Sequence, residues 1–155
     1  MPMAAAADST LALVLGHSGS LTGELRGRVT ALGMDDRVRF IGSIPEDDLP
    51  PLLRTAACYV TASSAGGTSV TLLQAMACGT PVVASDTAGN LQWIVDGVTG
   101  ATFPTGDVGS LAVAIGRATA GDTTRTTRAA RAAVEQRADW AANLPRLRRA
   151  LTGAP

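Results

Sequence analysis

The sequence predicts an α/β domain built on a parallel sheet flanked by helices. Three observations carry that expectation. Apolar runs bounded by glycine turns alternate with stretches of helical periodicity, the order that builds parallel sheets through right-handed crossovers. The runs are continuous rather than alternating, as in residues 11–15 (LALVL), which suits strands covered on both faces. At 155 residues the chain has the length of one domain and can bury a real core.

The elements follow in order. Residues 11–15 form the first strand and end at Gly16, and Gly16 to Ser20 turn the chain. Leu21, Leu25, Val29 and Leu32 recur at helical spacing, with Glu24, Arg26 and Arg28 outward and Gly33 as the stop. Val38, Phe40 and Ile41 make a second strand closed by Gly42. Pro45-Glu46-Asp47-Asp48 opens a short helix whose acids suit its N-terminal dipole, with Leu49, Leu52 and Leu53 on the buried side. Residues 57–61 are a third strand. Val70, Leu72, Leu73, Ala75, Met76 and Ala77 read as a helix, stopped by Gly79 and Pro81, and Val82-Val83-Ala84 as a buried strand.

Asp86 to Asn90 turn, residues 90–95 form a short helix, and residues 101–103 a last strand. Asp107 caps a helix that turns Val108, Leu111, Ala112 and Ile115 inward. Residues 125–137 are an Ala/Arg-rich helix. A terminal helix over residues 139–151 places Trp140, Leu144, Leu147 and Leu151 on one side, with Pro145 expected to kink or delay it. Residues 1–10 read as a disordered Ala-rich leader, residues 11–151 as the domain and residues 152–155 as a tail.

The loop before the third helix is the chemically suggestive stretch. Ser63, Ser64, Gly66, Gly67, Thr68 and Ser69 are small, polar and flexible. A glycine-bearing loop opening a helix presents free backbone N–H groups and the positive end of the helix dipole, which suits an anion. Thr68 and Ser69 can cap the helix and also offer hydroxyls to a phosphate. On loop chemistry alone an ordinary capped helix is the better reading, because Gly-Thr-Ser before a helix is common. The glycine turns after the strands gather on one sheet edge, where open parallel sheets bind ligands.

Composition sets bounds. Hydrophobic residues make up 46% and aromatics 3%, so the core is built from Ala, Val, Leu and Ile. Formal net charge is zero, which gives no electrostatic argument for nucleic acid or for an anionic membrane, although it does not exclude peripheral membrane association. All 13 basic residues are arginine, so no lysine can clamp a phosphate or form a Schiff base. Cys58 and Cys78 read as small buried hydrophobes in a reducing compartment, and no metal-ligand spacing accompanies them. No apolar run reaches membrane-spanning length and no secretory signal pattern opens the chain, which together point to the cytoplasm. His17, the lone histidine, lacks the spaced partners of a catalytic relay and reads as an exposed turn residue. Asp86 either meets a ligand or bonds its own turn. Gly16-His17-Ser18-Gly19 is too short for a dinucleotide fingerprint, and no acid follows the second strand.

The run GTSVTLLQAMACGTPVVASDTAGN, continued by WIVDGVTG and TFPTGD and preceded by RVRFIGSIPEDDLPPLLRTAACYVTASS, resembles the C-terminal half of family-four glycosyltransferases of GT-B fold. The resemblance covers residues 11–151. It implies a Rossmann-like, nucleotide-sugar-binding domain that takes part in retaining hexosyl transfer without a metal or other cofactor. By position, the backbone of Ser43 and Ile44 would meet the base, Gln74 the ribose, and Gly67, Thr68 and Ser69 the diphosphate. Gly66 would stand where a carboxylate holds the sugar hydroxyls.

The departures from the family pattern are as informative. Family members carry a Glu, seven residues, and a second Glu before Ala-Met-Ala; Gly66 and Gln74 stand in those places. Each lost charge-assisted bond of about 1.5–3 kcal/mol implies roughly tenfold or more weaker binding. The resemblance also implies a missing first strand, with an Arg and a Lys after it, and a separate N-terminal acceptor-binding half. Either residues 11–15 and 57–61 pair directly, or another chain fills that place. Two functions compete: a donor-binding half of a hexosyltransferase, and a degenerate Rossmann-like module that persists as a binding partner. A dinucleotide-binding regulatory domain is a distant third.

Overall fold

A computed structural model describes residues 11–153, so the expected leader and the last two residues lie outside it. The described chain is α/β with parallel strands throughout, as expected. The strands fall into two sheets, and the chain into two compact units that meet between Pro51 and Leu52.

The first unit is a strand–helix–strand: β1 (Leu13–Gly16), α1 (Thr22–Ala31) and β2 (Val38–Gly42). β1 and β2 run parallel with Leu13 opposite Val38 and Leu15 opposite Phe40, and the register slips before Gly16. The guanidinium of Arg26 on α1 stands 4.4 Å from the centroid of the Phe40 ring. Two expectations fail here. β1 is not covered on both faces: Leu13 is 48% and Val14 43% exposed. Leu25 and Val29 of α1, with Leu21 and Leu32 at its caps, keep helical spacing, yet no α1 residue is buried. The reason is size. Two strands and one helix offer too little surface to enclose each other, and Val38 is the unit's one buried hydrophobic among the described residues.

The link between the units is α2 (Leu49–Thr55), which buries Leu53; it starts only after the acids, so, contrary to expectation, its first turn carries none. The second unit holds β3 (Tyr59–Thr61), β4 (Val82–Ser85) and β5 (Ala101–Phe103) in the order β3-β4-β5. Val60 pairs with Val83, and Val83 with Ala101. β1 therefore pairs with β2 and β3 with β4; a direct β1–β3 ladder belongs to neither sheet.

β4 is the centre of this unit. Its residues are all buried, which is what the short Val-Val-Ala run predicted. Against it pack Ala101 and Phe103 of β5 and Ala114 and Ala118 of α5 (Val108–Thr119), with Cys58, Val60, Leu111 and Ile115 at the margin. Asp107 caps α5 by accepting from the Ser110 amide at 3.0 Å. α3 (Val70–Cys78) buries Leu72, Ala75 and Met76 and packs on α6 (Thr124–Ala138), which buries Ala130 and Val134. Alanine-rich faces let these two helices approach closely, so a core poor in aromatics still closes.

After β4 the chain corrects the sequence reading. The short helix, α4, spans Ala88–Leu91 rather than residues 90–95. Asn90 looks like a helix start, but its side chain is buried and donates to Ser85 O at 2.9 Å. The last helix, α7 (Trp140–Thr152), is capped by Asp139 and runs through Pro145 without delay. It buries none of its residues. Cys58 and Cys78 are free and half-buried, and burial pushes the Cys58 thiol pKa up, as expected of an inert small hydrophobe.

Candidate functional site

The loop from Thr61 to Ser69 leaves the C-terminal end of β3 and opens α3. Ser69 occupies the N-cap, and its Oγ accepts from the Leu72 amide at 3.3 Å. That leaves the first turn with spare donors. Among the described residues, no protein oxygen accepts from the amides of Gly67, Thr68, Val70 or Thr71. Gly66, Gly67 and Val70 are exposed. Free amides at a helix start carry partial positive charge, so this turn is chemically suited to an anion.

Three contacts hold the loop. The Thr68 hydroxyl donates to Gly89 O at 3.2 Å and accepts from the Trp93 indole Nε1 at 3.0 Å. The guanidinium of Arg137, on α6, lies over the Trp93 ring at 4.1 Å and donates to Gln92 O at 2.8 Å. Ser85 Oγ donates to Ser63 O at 2.7 Å, and Asn90 steadies Ser85 in turn. The start of α4 is thus bolted to the start of α3. Gly89 allows this: a Cβ there would fall 2.4 Å from Gly67 C and 2.8 Å from Thr68 N. The approach admits only glycine.

The strand-end carboxylate Asp86 does something else. Its Oδ1 accepts from both the amide and the hydroxyl of Thr105 at 2.8 Å. These bonds hold its pKa below the ordinary carboxylate value. Of the two readings of Asp86, the structure makes it a tie between the turns after β4 and β5.

The family model of the Glycosyl transferases group 1 matches residues 2–120. The chain belongs to that family. A D-inositol 3-phosphate glycosyltransferase of Salinispora tropica is 37% identical over 117 residues, which are 74% of this chain and 24% of that protein. A solved structure of Anabaena HepE in complex with UDP and glucose superposes with a TM-score of 0.87 at 26% identity, covering 97% of this chain and 42% of HepE. The C-terminal domain of the LpcC glycosyl transferase of Francisella tularensis shares the fold at 22% identity with a TM-score of 0.73, covering 84% of this chain and 70% of that domain. The chain spans 14% to 29% of the length of the first curated relatives it matches.

In this family member the residues singled out from sequence divide between the units. Ser43 and Ile44 follow β2 in the first unit; Ser43 is exposed, and Ile44 packs against the backbone of Gly16. Gly66, Gly67, Thr68, Ser69 and Gln74 lie in the second unit. Gln74 is half-buried on α3, one turn after Val70. Gly66 adopts φ 124°, a region that side-chain-bearing residues rarely enter. The Thr68 hydroxyl donates to Gly89 O and so braces the loop. Ser69 keeps its proton, because its Oγ acts as acceptor in the cap.

Sequence reasoning overlooked Trp93 and Arg137, whose partners lie 25 and 45 residues away in the chain. It also treated Gly89 only as a turn residue and Asn90 as a turn residue or a helix start, not as a buried hydrogen-bond donor. The signal for Gly89 was present as a glycine inside a helix start, where backbone entropy argues against one unless something packs close. His17 is an exposed turn residue, as expected, with φ 68° and its amide donating to Gly42 O at 2.6 Å.

Proposed function

We propose that this chain is the donor-binding part of a hexosyltransferase and that the first turn of α3 takes the diphosphate of a nucleotide sugar. The observation that carries the reading is the set of unpaired amides at Gly67, Thr68, Val70 and Thr71, on a loop braced by Thr68, Gly89 and Trp93. A diphosphate placed there meets N–H donors and the helix dipole with no lysine and no metal. In the proposed retaining transfer these dipoles stabilise the departing nucleoside diphosphate, which carries more charge at its leaving oxygen than the bound donor does. Gln74 offers its amide oxygen to a ribose hydroxyl. The acceptor half and the strand implied by the resemblance come from another chain or another segment, in the cytoplasm.

The relatives support the donor class, since HepE was solved with UDP and with UDP-glucose. Titration of the chain with UDP-glucose by calorimetry tests the reading. The expected result is saturable binding in the micromolar range or weaker, because two charge-assisted contacts are missing. Submicromolar affinity would refute the argument from Gly66 and Gln74. Absence of binding to any common nucleotide sugar would favour the second reading, a partner module that keeps the fold without the donor. The φ of Gly66 is the observation that favours it, since that backbone has left the conformation a carboxylate-bearing residue adopts readily.

A further inference from the structure

Arg137, in the last turn of α6, forms no ion pair with a carboxylate among the described residues. Its guanidinium is committed elsewhere. One face covers the Trp93 ring at 4.1 Å, and Nη1 donates to Gln92 O at 2.8 Å. Two contacts on adjacent residues fix the indole in place. The indole has a single polar atom, and that atom donates to Thr68 Oγ1 at 3.0 Å. Thr68 Oγ1 gives its own proton to Gly89 O at 3.2 Å. A chain of contacts thus runs from α6 to the residue beside the N-cap of α3, the Thr68 whose amide no protein oxygen uses among the described residues. Its far end is anchored as well: Asn143 Nδ2, in the first turn of α7, donates to Arg137 O at 3.0 Å.

We propose that Arg137 is a positioning residue for the diphosphate, acting through Trp93 on the amides of Gly67 and Thr68. The proposal rests on the reading of the α3 turn as the diphosphate site. A cation held over an indole face is attracted by the ring, and hydrogen bonds in series polarise one another. The Trp93 N–H therefore pulls harder on Thr68 Oγ1, which leaves the Thr68 proton committed to Gly89 O. The peptide between Gly67 and Thr68 is then clamped from its own side chain and from the Gly89 backbone packed against it. Donors fixed before the anion arrives need no ordering when it binds, and affinity rises accordingly. A direct pull of the Arg137 charge on the phosphates would persist without the indole donor. An effect carried by Trp93 would not.

The test is a double-mutant cycle on the full 155-residue chain, read by calorimetry with UDP. Arg137→Ala should weaken UDP roughly three- to tenfold, and Arg137→Lys, which keeps a cation for the ring, should recover part of that loss. Trp93→Phe should weaken UDP by a similar factor, and adding Arg137→Ala to it should bring no further loss. In 15N spectra of the parent, the indole N–H signal that Trp93→Phe removes should move as UDP saturates. Arg137→Gln, which keeps a donor for Gln92 O without the cation, carries the same comparison if Arg137→Ala does not fold. Equal UDP affinity in the parent and Arg137→Ala, with only the melt lowered, would make the contact structural and overturn the proposal. So would a full additive loss in the Trp93→Phe background, which assigns the effect to charge alone. A parent that binds no UDP, or binds it with the Gly67 and Thr68 amides unmoved, would instead remove the diphosphate reading, and this proposal with it.

Discussion

Substitution of Gly89 by alanine probes the brace between α4 and α3 at its tightest point. The added methyl would meet Gly67 C at 2.4 Å, Gly67 O at 2.6 Å and Thr68 N at 2.8 Å. All three are backbone atoms, so no side chain can rotate out of the way. To reach ordinary contact the two loops must separate by about 1 Å. The Thr68 hydroxyl already stands 3.2 Å from Gly89 O, and that separation breaks the bond. Overpacking of this kind costs about 1–3 kcal/mol and the lost hydrogen bond about 1 kcal/mol more. Gly89→Ala should therefore lose roughly 2–4 kcal/mol, a large fraction of a stability of about 5–15 kcal/mol. Urea denaturation followed by circular dichroism measures it. Calorimetry on the folded variant should show UDP affinity down tenfold or more, because Gly67 and Thr68 supply two of the proposed donors. A variant that melts with the parent and binds UDP equally would refute the reasoning, since the loop would then not depend on this approach.

Three further outcomes are expected. Trp93→Phe keeps the ring under Arg137 but removes the indole donor to Thr68, and urea melts should show a loss of about 1 kcal/mol. Gln74→Glu should tighten UDP-glucose several-fold in calorimetry at neutral pH, whereas Gly66→Glu should not, because φ 124° at that position penalises any side chain; equal gains from both would contradict this. Asp86 has its folded pKa lowered first by the Thr105 hydroxyl and then by the Thr105 amide, so its contribution to stability is fully present above the ordinary carboxylate pKa and is lost as pH falls from there through the lower folded value. Asp86→Asn should flatten the acid limb of a pH-dependent melting curve, and an unchanged limb would show that the tie carries no stability.

How much the sequence disclosed varies with the range of the interactions involved. The order of strands and helices was legible because local periodicity and glycine stops decide it, as with α3 between Ser69 and Gly79. The burial of β4 was legible from three consecutive small apolar residues. The burial of β1 was not, since an apolar run records what a strand tolerates and not what covers it. Asn90 misled because its side chain serves Ser85 in the core instead of opening a helix. The same limit applies to the site. The glycine-bearing loop and the N-cap at Ser69 could be read locally. The direction of the Thr68 proton could not, because its acceptor lies 21 residues on. Trp93 and Arg137 become visible only once α6 is packed on α3 and its last turn reaches Gln92.

Backbone amides that no protein oxygen uses are the core of the functional account, and they can be watched individually. In a 15N-labelled sample titrated with UDP, the amide signals of Gly67, Thr68, Val70 and Thr71 should move together along one saturation curve. Nucleotide that binds and leaves those four signals in place would contradict the account.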